Sequence, residues 1–202
     1  MFESATDLAR RIEHTLVKPD ATLDQLAEAC AEARAHGFAA LIVSGWMVVR
    51  AKAALAGSGV RVGAVIGFPH GTCTTTVKIM EAMEAMRNGA EDLDIVMNLG
   101  MLKSGNREQA EIDVKNVIAM TKGAAHKVII EAGALSPAEL QEACLITVRS
   151  GAAFVKTSTG YGPRGVTAED VTTIRSIIGT TCGIKASGGI KDLAAVTALT
   201  AA

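Results

Sequence analysis

Short apolar runs rich in β-branched residues alternate along this chain with longer amphipathic stretches. The short runs predict strands that recur about every 25–35 residues, and the longer stretches have the periodicity of helices. The predicted strands cover residues 12–16, 38–43, 61–67, 92–98, 127–131, 153–158 and 183–186. The predicted helices cover residues 23–36, 47–56, 75–88, 107–122, 137–149, 168–178 and 192–198. Such a repeat predicts an α/β fold around a parallel sheet.

Two arrangements of such a sheet fit the pattern. An open, doubly wound sheet is one, but no GxGxxG follows the first predicted strand. A (β/α)8 barrel of the TIM type fits better, because polar residues gather at the carboxyl ends of many strands. We expect one barrel domain over residues 1–202.

The number of predicted strands is one short of a closed barrel. Seven strands precede the end of the chain, so we expect the eighth β/α unit to be missing from it. Unpaired edges on the first and seventh strands would then favour a homo-oligomer, with a dimer as the first expectation.

The composition argues against several classes of function. The net charge is −1 and there is no long basic run, so we expect neither nucleic acid nor a membrane as a partner. The longest apolar stretch, residues 38–49, is too short to span a bilayer, and the start of the chain lacks the apolar core of a signal peptide. The four cysteines are scattered without a CxxC pair, which predicts free thiols in the cytoplasm.

Two lysines in the last predicted strands are the strongest functional signal. Lys156 follows Phe154 and Val155, and Lys185 follows Ile184 on the next strand. A strand flanked by helices is buried on both faces, and a buried lysine without a partner loses its proton to become a nucleophilic amine. Adjacent strands are about 4.8 Å apart, so a second ammonium on the next strand lowers the pKa of the first lysine further. The pair predicts a Schiff base with a carbonyl substrate, unless the lysines reach the barrel mouth and pair with acids.

Asp94 on the fourth strand is the third candidate. Alternation of side chains places Asp94, Val96 and Asn98 on one side of this strand. A carboxylate there can hold a lysine ammonium and relay a proton through water to or from an enamine carbon. The alternative is an ion pair that only stabilises the barrel interior.

Small residues near the end of the chain predict a phosphate site. Gly188 and Gly189 form a turn into the last helix, and backbone N–H groups at such a turn bind phosphate in many barrel enzymes. Arg164, in the loop after the sixth strand, would supply a cation, and Thr157 begins the small polar run that follows Lys156. An ordinary βα turn and a solvated loop arginine are the alternatives.

The histidines do not predict a metal site. His14, His36, His70 and His126 are far apart and show neither HxH nor HExxH spacing. We therefore expect no catalytic metal and no other cofactor.

Six collinear stretches span about nine-tenths of the chain and carry a family resemblance. They are IEHTLVKPDAT (12–22), VIGFPHGTCTTTVK (65–78), EDLDIVMNLGMLKSG (91–105), KVIIEAGALS (127–136), FVKTSTGYGPRG (154–165) and GIKASGGI (183–190). Together they resemble the 2-deoxyribose-5-phosphate aldolase family. The resemblance implies a class I aldolase that cleaves 2-deoxy-D-ribose 5-phosphate to D-glyceraldehyde 3-phosphate and acetaldehyde. It implies that Lys156 forms the Schiff base, Lys185 perturbs its pKa and shares in proton transfer, and Asp94 completes the relay.

Three features depart from the family pattern. Ser44-Gly45-Trp46 replaces an Asn-Pro type of turn, Glu13 replaces an aspartate, and the eighth strand with its phosphate-binding turn has no counterpart. From the last departure we expect weaker binding of a phosphorylated substrate. Two alternatives therefore stay open. One is another Schiff-base barrel aldolase, acting on a ketose phosphate, and the other is a truncated, non-catalytic barrel that serves as an oligomer or binding module.

Overall fold

The computed structural model describes Phe2 and residues 4–202. Over this part of the chain one parallel sheet contains seven strands that pair in chain order. The strands are β1 (Glu13–Leu16), β2 (Ala40–Val43), β3 (Arg61–Ile66), β4 (Asp92–Val96), β5 (Ala125–Ile129), β6 (Phe154–Lys156) and β7 (Gly183–Lys185). The predicted α/β architecture with a parallel sheet is confirmed.

Helices connect the strands on the outside of the sheet. They are α1 (Ala5–Ala9), α2 (Leu23–His36), α3 (Val48–Ala54), α4 (Thr75–Arg87), α5 (Leu99–Lys103), α6 (Arg107–Met120), α7 (Pro137–Arg149), α8 (Ala168–Ile178) and α9 (Leu193–Ala201). The bounds of α2, α7 and α8 are the predicted ones, because capping boxes define their first turns. Within the described residues, no helix combines the length and the apolar composition of a membrane span.

The structure differs from the predicted elements at a few places. The helices α1 and α5 were not predicted, since five residues are too few to show periodicity. The side chains of Ser4 and Asn98 cap their first turns. The fifth strand begins at Ala125 rather than residue 127 and ends at Ile129, two residues before Glu131, whose left-handed backbone cannot continue a strand.

The sheet curls so that its first and last strands meet. In a flat sheet β1 and β7 would be about 29 Å apart, six steps of about 4.8 Å. Instead, the Nζ atom of Lys185 on β7 lies 2.5 Å from the Oε2 atom of Glu13 on β1. The fold is therefore an α/β barrel of the TIM type, as predicted, in which a side-chain ion pair joins the two ends of the sheet.

The interior of the barrel has two chemically different halves. Along β2 and β3, Ala40, Ile42 and Val65 form an apolar cluster with Val17 and Phe68 packed against it. Along β4 to β7 the interior face also carries charged side chains, and acids and lysines of different strands contact each other there. The outward faces of the strands carry the aliphatic core beneath the helices. The candidate chemistry therefore lies in the charged half.

Candidate active site

The two predicted lysines lie at the carboxyl ends of neighbouring strands. Lys156 is the last residue of β6 and Lys185 the last residue of β7, and they pair in register. Asp94 lies in the middle of β4, and its Oδ2 atom is 2.7 Å from the Nζ atom of each lysine. The curled sheet brings together the three residues that the sequence singles out for the chemistry.

Burial and charge act differently on these three groups. The Lys156 side chain is only 5% exposed, and burial lowers its pKa to about 8, with Asp94 opposing the shift and Lys185 adding to it. Burial alone would lower the pKa of Lys185, but Asp94 and Glu13 outweigh it, so that pKa is raised. Burial would raise the pKa of Asp94, but the neighbouring lysines lower it below its ordinary value. Of this lysine pair, Lys156 releases its proton more easily.

Lys127 and Glu13, for which the sequence predicted no catalytic role, extend the charged group. Lys127 on β5 forms an ion pair with Asp92, and its Nζ atom lies 3.2 Å from Glu13 Oε1 and 3.7 Å from Asp94 Oδ1. The burial pattern that singled out Lys156 applies equally to Lys127, a lysine in an apolar strand, and could have found it.

The balance of charge explains why one lysine in this group can be neutral. The carboxylates of Glu13, Asp92 and Asp94 supply three negative charges. The three lysines supply three positive charges, and Arg61 adds a fourth because its Nε atom lies 2.9 Å from Asp92 Oδ2. Loss of one proton therefore leaves the group without net charge, with the charge of Arg61, whose side chain is 49% exposed, partly screened by solvent.

The same contacts indicate which lysine loses that proton. Lys127 lies among all three carboxylates, and Lys185 lies between Asp94 and Glu13. Lys156 has Asp94 alone within ion-pair distance among the described residues. Its ammonium form is stabilised least, so its neutral amine is the favoured nucleophile.

One oxygen of Asp94 is left for a substrate or a water molecule. Its Oδ2 atom accepts from Lys156 and Lys185, whereas Oδ1 accepts no hydrogen bond from any residue that the structure describes. Asp94 is fully buried, and a buried carboxylate oxygen without a hydrogen bond is costly. Such exceptions occur at functional sites, and this one fits the predicted proton relay.

Thr157 joins the ends of the two lysine-bearing strands. Its N–H donates to the carbonyl of Lys185 at 3.0 Å, and its hydroxyl oxygen accepts from the N–H of Ser187 at 3.0 Å. The Ser187 hydroxyl donates to the carbonyl of Ser158 at 2.7 Å. The structure thus shows Thr157 tying β6 to β7, and its predicted contact with substrate stays a prediction.

Gly188 and Gly189 form the predicted turn after β7. Their φ values are 85° and 77°, which glycine adopts without strain, and a Cβ atom on Gly165 would collide with the Gly188 carbonyl. Among the described residues, no protein group accepts a hydrogen bond from the N–H of either glycine. Two free N–H groups in one turn suit an anion.

Arg164 precedes Gly165, which contacts Gly188 in this turn. Its guanidinium, however, forms an ion pair with Asp170. Its Nη1 and Nη2 atoms lie 2.5 and 2.9 Å from the two carboxylate oxygens of Asp170, in the first turn of α8. The structure therefore places Arg164 in a bidentate ion pair, although its side chain is 44% exposed. Its contact with a phosphate stays a prediction.

A cavity of about 410 Å³ opens over the apolar half of the barrel. It is lined by Val17, Pro19, Ser44, Gly45, Val65, Phe68, Pro69, His70, Glu81 and Tyr161. Val65 pairs in register with Asp94, so the floor of the cavity adjoins the charged group. The residues that the structure describes include no set of three His, Cys, Asp or Glu side chains placed to hold a metal ion.

Comparison with known proteins identifies the family. The model of the DeoC/LacD family of aldolases matches residues 6–202, nearly the whole chain. The chain belongs to this aldolase family. The resemblance found in the sequence is thereby confirmed.

Relatives of this aldolase agree with that assignment. A deoxyribose-phosphate aldolase of Methanothermobacter thermautotrophicus is 46% identical over 192 residues, which are 95% of this chain and 85% of the relative. One from Geobacillus sp. is 43% identical over 194 residues, 96% of this chain and 87% of the relative. A solved structure described as a unique tetrameric deoxyribose phosphate aldolase, from Aeropyrum pernix, matches with a TM-score of 0.91 and 32% identity. The match covers 98% of this aldolase and 84% of that chain.

Proposed function

We propose that this chain is a deoxyribose-phosphate aldolase that cleaves 2-deoxy-D-ribose 5-phosphate reversibly through a Schiff base on Lys156. The observation that carries the proposal is the buried Lys156 ammonium, with its pKa lowered to about 8, which shares Asp94 Oδ2 with Lys185. Two relatives of the same family, at 43% and 46% identity over nearly the whole chain, are named deoxyribose-phosphate aldolases.

Each proposed step uses a group already described. The neutral Nζ of Lys156 attacks the C1 aldehyde of the open-chain sugar to form a carbinolamine. Lys185 then supplies a proton to the carbinolamine hydroxyl, which leaves as water and gives an iminium ion. Asp94, acting through a water molecule with Lys185, removes the proton of the C3 hydroxyl. The C2–C3 bond then breaks, its electron pair passes to the iminium nitrogen, and glyceraldehyde 3-phosphate leaves. The remaining enamine takes a proton at C2 from the same relay. Hydrolysis of the resulting iminium ion releases acetaldehyde and the neutral amine of Lys156 and returns a proton to Lys185.

The phosphate group is proposed to bind at the turn of Gly188 and Gly189. The free N–H groups of these residues support this location. Thr157 and Arg164 are proposed to act from the two sides of the turn. Thr157 would hold Ser187, and Arg164 would add positive charge near Gly165, which contacts Gly188. No metal or other cofactor takes part in the proposed steps.

The cellular setting and the assembly are also proposals. The described cysteines are free thiols, which supports a reducing cytoplasm. A place in deoxyribonucleotide catabolism follows from the proposed substrate. We infer a homo-oligomer, with a dimer as the first expectation. The sheet ends at β1 and β7, and a relative at 32% identity is described as a tetramer.

Borohydride trapping tests the proposed function directly. The protein is incubated with acetaldehyde and sodium borohydride, and intact and peptide masses are measured. We expect one ethyl adduct on the peptide that carries Lys156, and neither adduct nor turnover in Lys156→Ala. Lys191→Ala, an exposed lysine near the same end of the barrel, is the control and should form the adduct normally. A folded wild-type protein that forms no adduct, or an active Lys156→Ala variant, would overturn the proposal.

A further inference from the structure

Glu131, directly after β5, has a backbone conformation that glutamate does not favour. Its φ of 48° and ψ of 59° lie in the left-handed region, which glycine and asparagine adopt at a lower free-energy cost. Its side chain is also largely buried, since the residue is 7% exposed. Backbone strain and a buried carboxylate at the same residue indicate that the side chain has a functional role.

The carboxylate of Glu131 holds the loop that follows Lys156. Its Oε2 atom accepts hydrogen bonds from the Thr159 N–H, at 3.1 Å, and from the Thr159 hydroxyl. That hydroxyl in turn accepts from the N–H of Tyr161 at 3.0 Å. The Oε1 atom accepts no hydrogen bond from the described residues and lies against Gly162, where a Cβ atom would collide with it. Glu131 thus fixes the loop from Thr159 to Gly162.

Tyr161 extends this arrangement across the mouth of the barrel. Its ring meets that of Phe68 edge-on, with centroids 5.6 Å apart, and its hydroxyl lies 3.4 Å from the carbonyl of Val17. Both aromatic rings line the cavity whose floor adjoins Asp94. The position of the tyrosine ring therefore sets the shape of the rim above the charged group.

We propose that Glu131 is a positioning residue that acts through Thr159 to hold Tyr161 at the rim of the active site. It does not hold the reacting groups directly, because Thr159 is its hydrogen-bond partner among the described residues and neither of its oxygens bonds to Lys156 or Lys185. The kinetic consequence rests on the proposed function: a loosened rim weakens binding of the sugar phosphate and leaves the Schiff-base step intact.

The position of Tyr161 can be measured without any reaction, because it is the one tyrosine of the chain. Incorporation of 3-fluorotyrosine gives a single fluorine resonance for this ring. We expect Glu131→Gln and Thr159→Val to broaden or shift this resonance. Thr159→Ser keeps the hydroxyl, and Glu108→Gln removes an exposed acid from α6, so both should leave the resonance as in the wild type. An unchanged resonance in both Glu131→Gln and Thr159→Val would overturn the proposal.

Steady-state kinetics test the consequence for the reaction. For cleavage of 2-deoxyribose 5-phosphate we expect Glu131→Gln and Thr159→Val to raise KM at least tenfold and to change kcat less than threefold. The rate of trapping with saturating acetaldehyde should stay within twofold of the wild type. The double variant should be no worse than the poorer single variant, because both single variants weaken the same contact between residue 131 and residue 159. A wild-type KM in both single variants, or a loss of trapping in parallel with KM, would contradict the positioning role.

The variant Glu131→Gly distinguishes the role of the Glu131 side chain from that of its backbone conformation. Glycine relieves the left-handed conformation but removes the carboxylate. If the backbone were what mattered at this position, KM and the fluorine resonance would stay at wild-type values. We expect both to change as in Glu131→Gln. If the wild-type protein gave neither adduct nor cleavage, the proposed function would be wrong. The fluorine measurement would still show whether Glu131 positions Tyr161.

Discussion

Lys156 shows how one residue acquires its reactivity from its neighbours. Burial lowers its pKa to about 8, and the two closest charges act in opposite directions: Asp94 raises this pKa and Lys185 lowers it. The ammonium groups of Lys156 and Lys185 both donate to the same oxygen atom, Asp94 Oδ2. A change in either neighbour should therefore be visible in the titration of Lys156.

At the residue scale, the pH dependence of trapping should identify these influences. The neutral amine attacks, so we expect the rate of adduct formation to rise with pH through about 8 in the wild type. Lys185→Met removes a positive charge, which should move the midpoint to higher pH. Asp94→Asn removes a negative charge, which should move it to lower pH. The measurement is the initial rate of borohydride-trapped adduct across pH, and shifts in the same direction would contradict the assignment.

At the element scale, a buried ion pair joins two helices to the end of β4. Lys78 on α4 and Asp113 on α6 have fully buried side chains, and their Nζ and Oδ2 atoms are 2.5 Å apart. The same Nζ atom donates to the carbonyl of Val96 at 2.9 Å, and the Thr75 hydroxyl donates to Asp113 at 2.7 Å. The strand that carries Asp94 is thus held from outside the barrel. The helical pattern did not predict this pair, since both residues are of types normally found at the surface.

We expect the buried pair of Lys78 and Asp113 to affect the free energy of unfolding more than an exposed ion pair does. Lys78→Met leaves a buried carboxylate without its partner and should lower the free energy of unfolding by about 3–5 kcal/mol. The double variant Lys78→Met/Asp113→Leu should recover most of this loss. Lys52→Met is the control, because its pair with Glu91 is nearly half exposed and should contribute less than about 1 kcal/mol. Denaturant unfolding at constant protein concentration measures all three, and a loss in Lys78→Met no larger than that of the control would contradict this account.

At the scale of the whole molecule, the two ends of the sheet meet through side chains. Glu13 and Lys185 bridge β1 and β7, and backbone ladders pair each strand with the next in chain order from β1 to β7. The neighbouring α9 is apolar, yet none of its residues is buried, and Leu193 is 62% exposed. An apolar helix exposed beside a sheet end suits contact with a second copy of the chain.

We therefore expect oligomers in solution at micromolar concentration, with dimers as the first expectation. Light scattering coupled to size-exclusion chromatography measures the mass. Leu193→Glu places a charge on the exposed face of α9 and should weaken the association. Ile112→Glu, on the outer surface of α6, is the matched control and should not. A monomeric wild type across the micromolar range would contradict the expectation.

Much of the architecture was predictable from local pattern. The parallel sheet, the order of its elements and the bounds of α2, α7 and α8 followed from hydrophobic periodicity and capping residues. The short α1 and α5 were missed, and the fifth strand was placed two residues too late at its start. Glu131 explains the error at the end of that strand, because a left-handed glutamate has no sequence signal.

The sequence by itself determined which residues could carry the chemistry. Charged residues in apolar strands are rare, so type and position alone reduced the candidates to a few, which include Lys156, Lys185 and Asp94 but equally Lys127. Which charged groups lie next to these residues was decided only by the tertiary structure. The curl of the sheet brings Glu13 to Lys185 across 172 positions of sequence and places Lys127 among the same carboxylates. Periodicity and capping depend on residues within a few positions of one another, whereas electrostatic partners depend on distances in space that closure of the sheet sets.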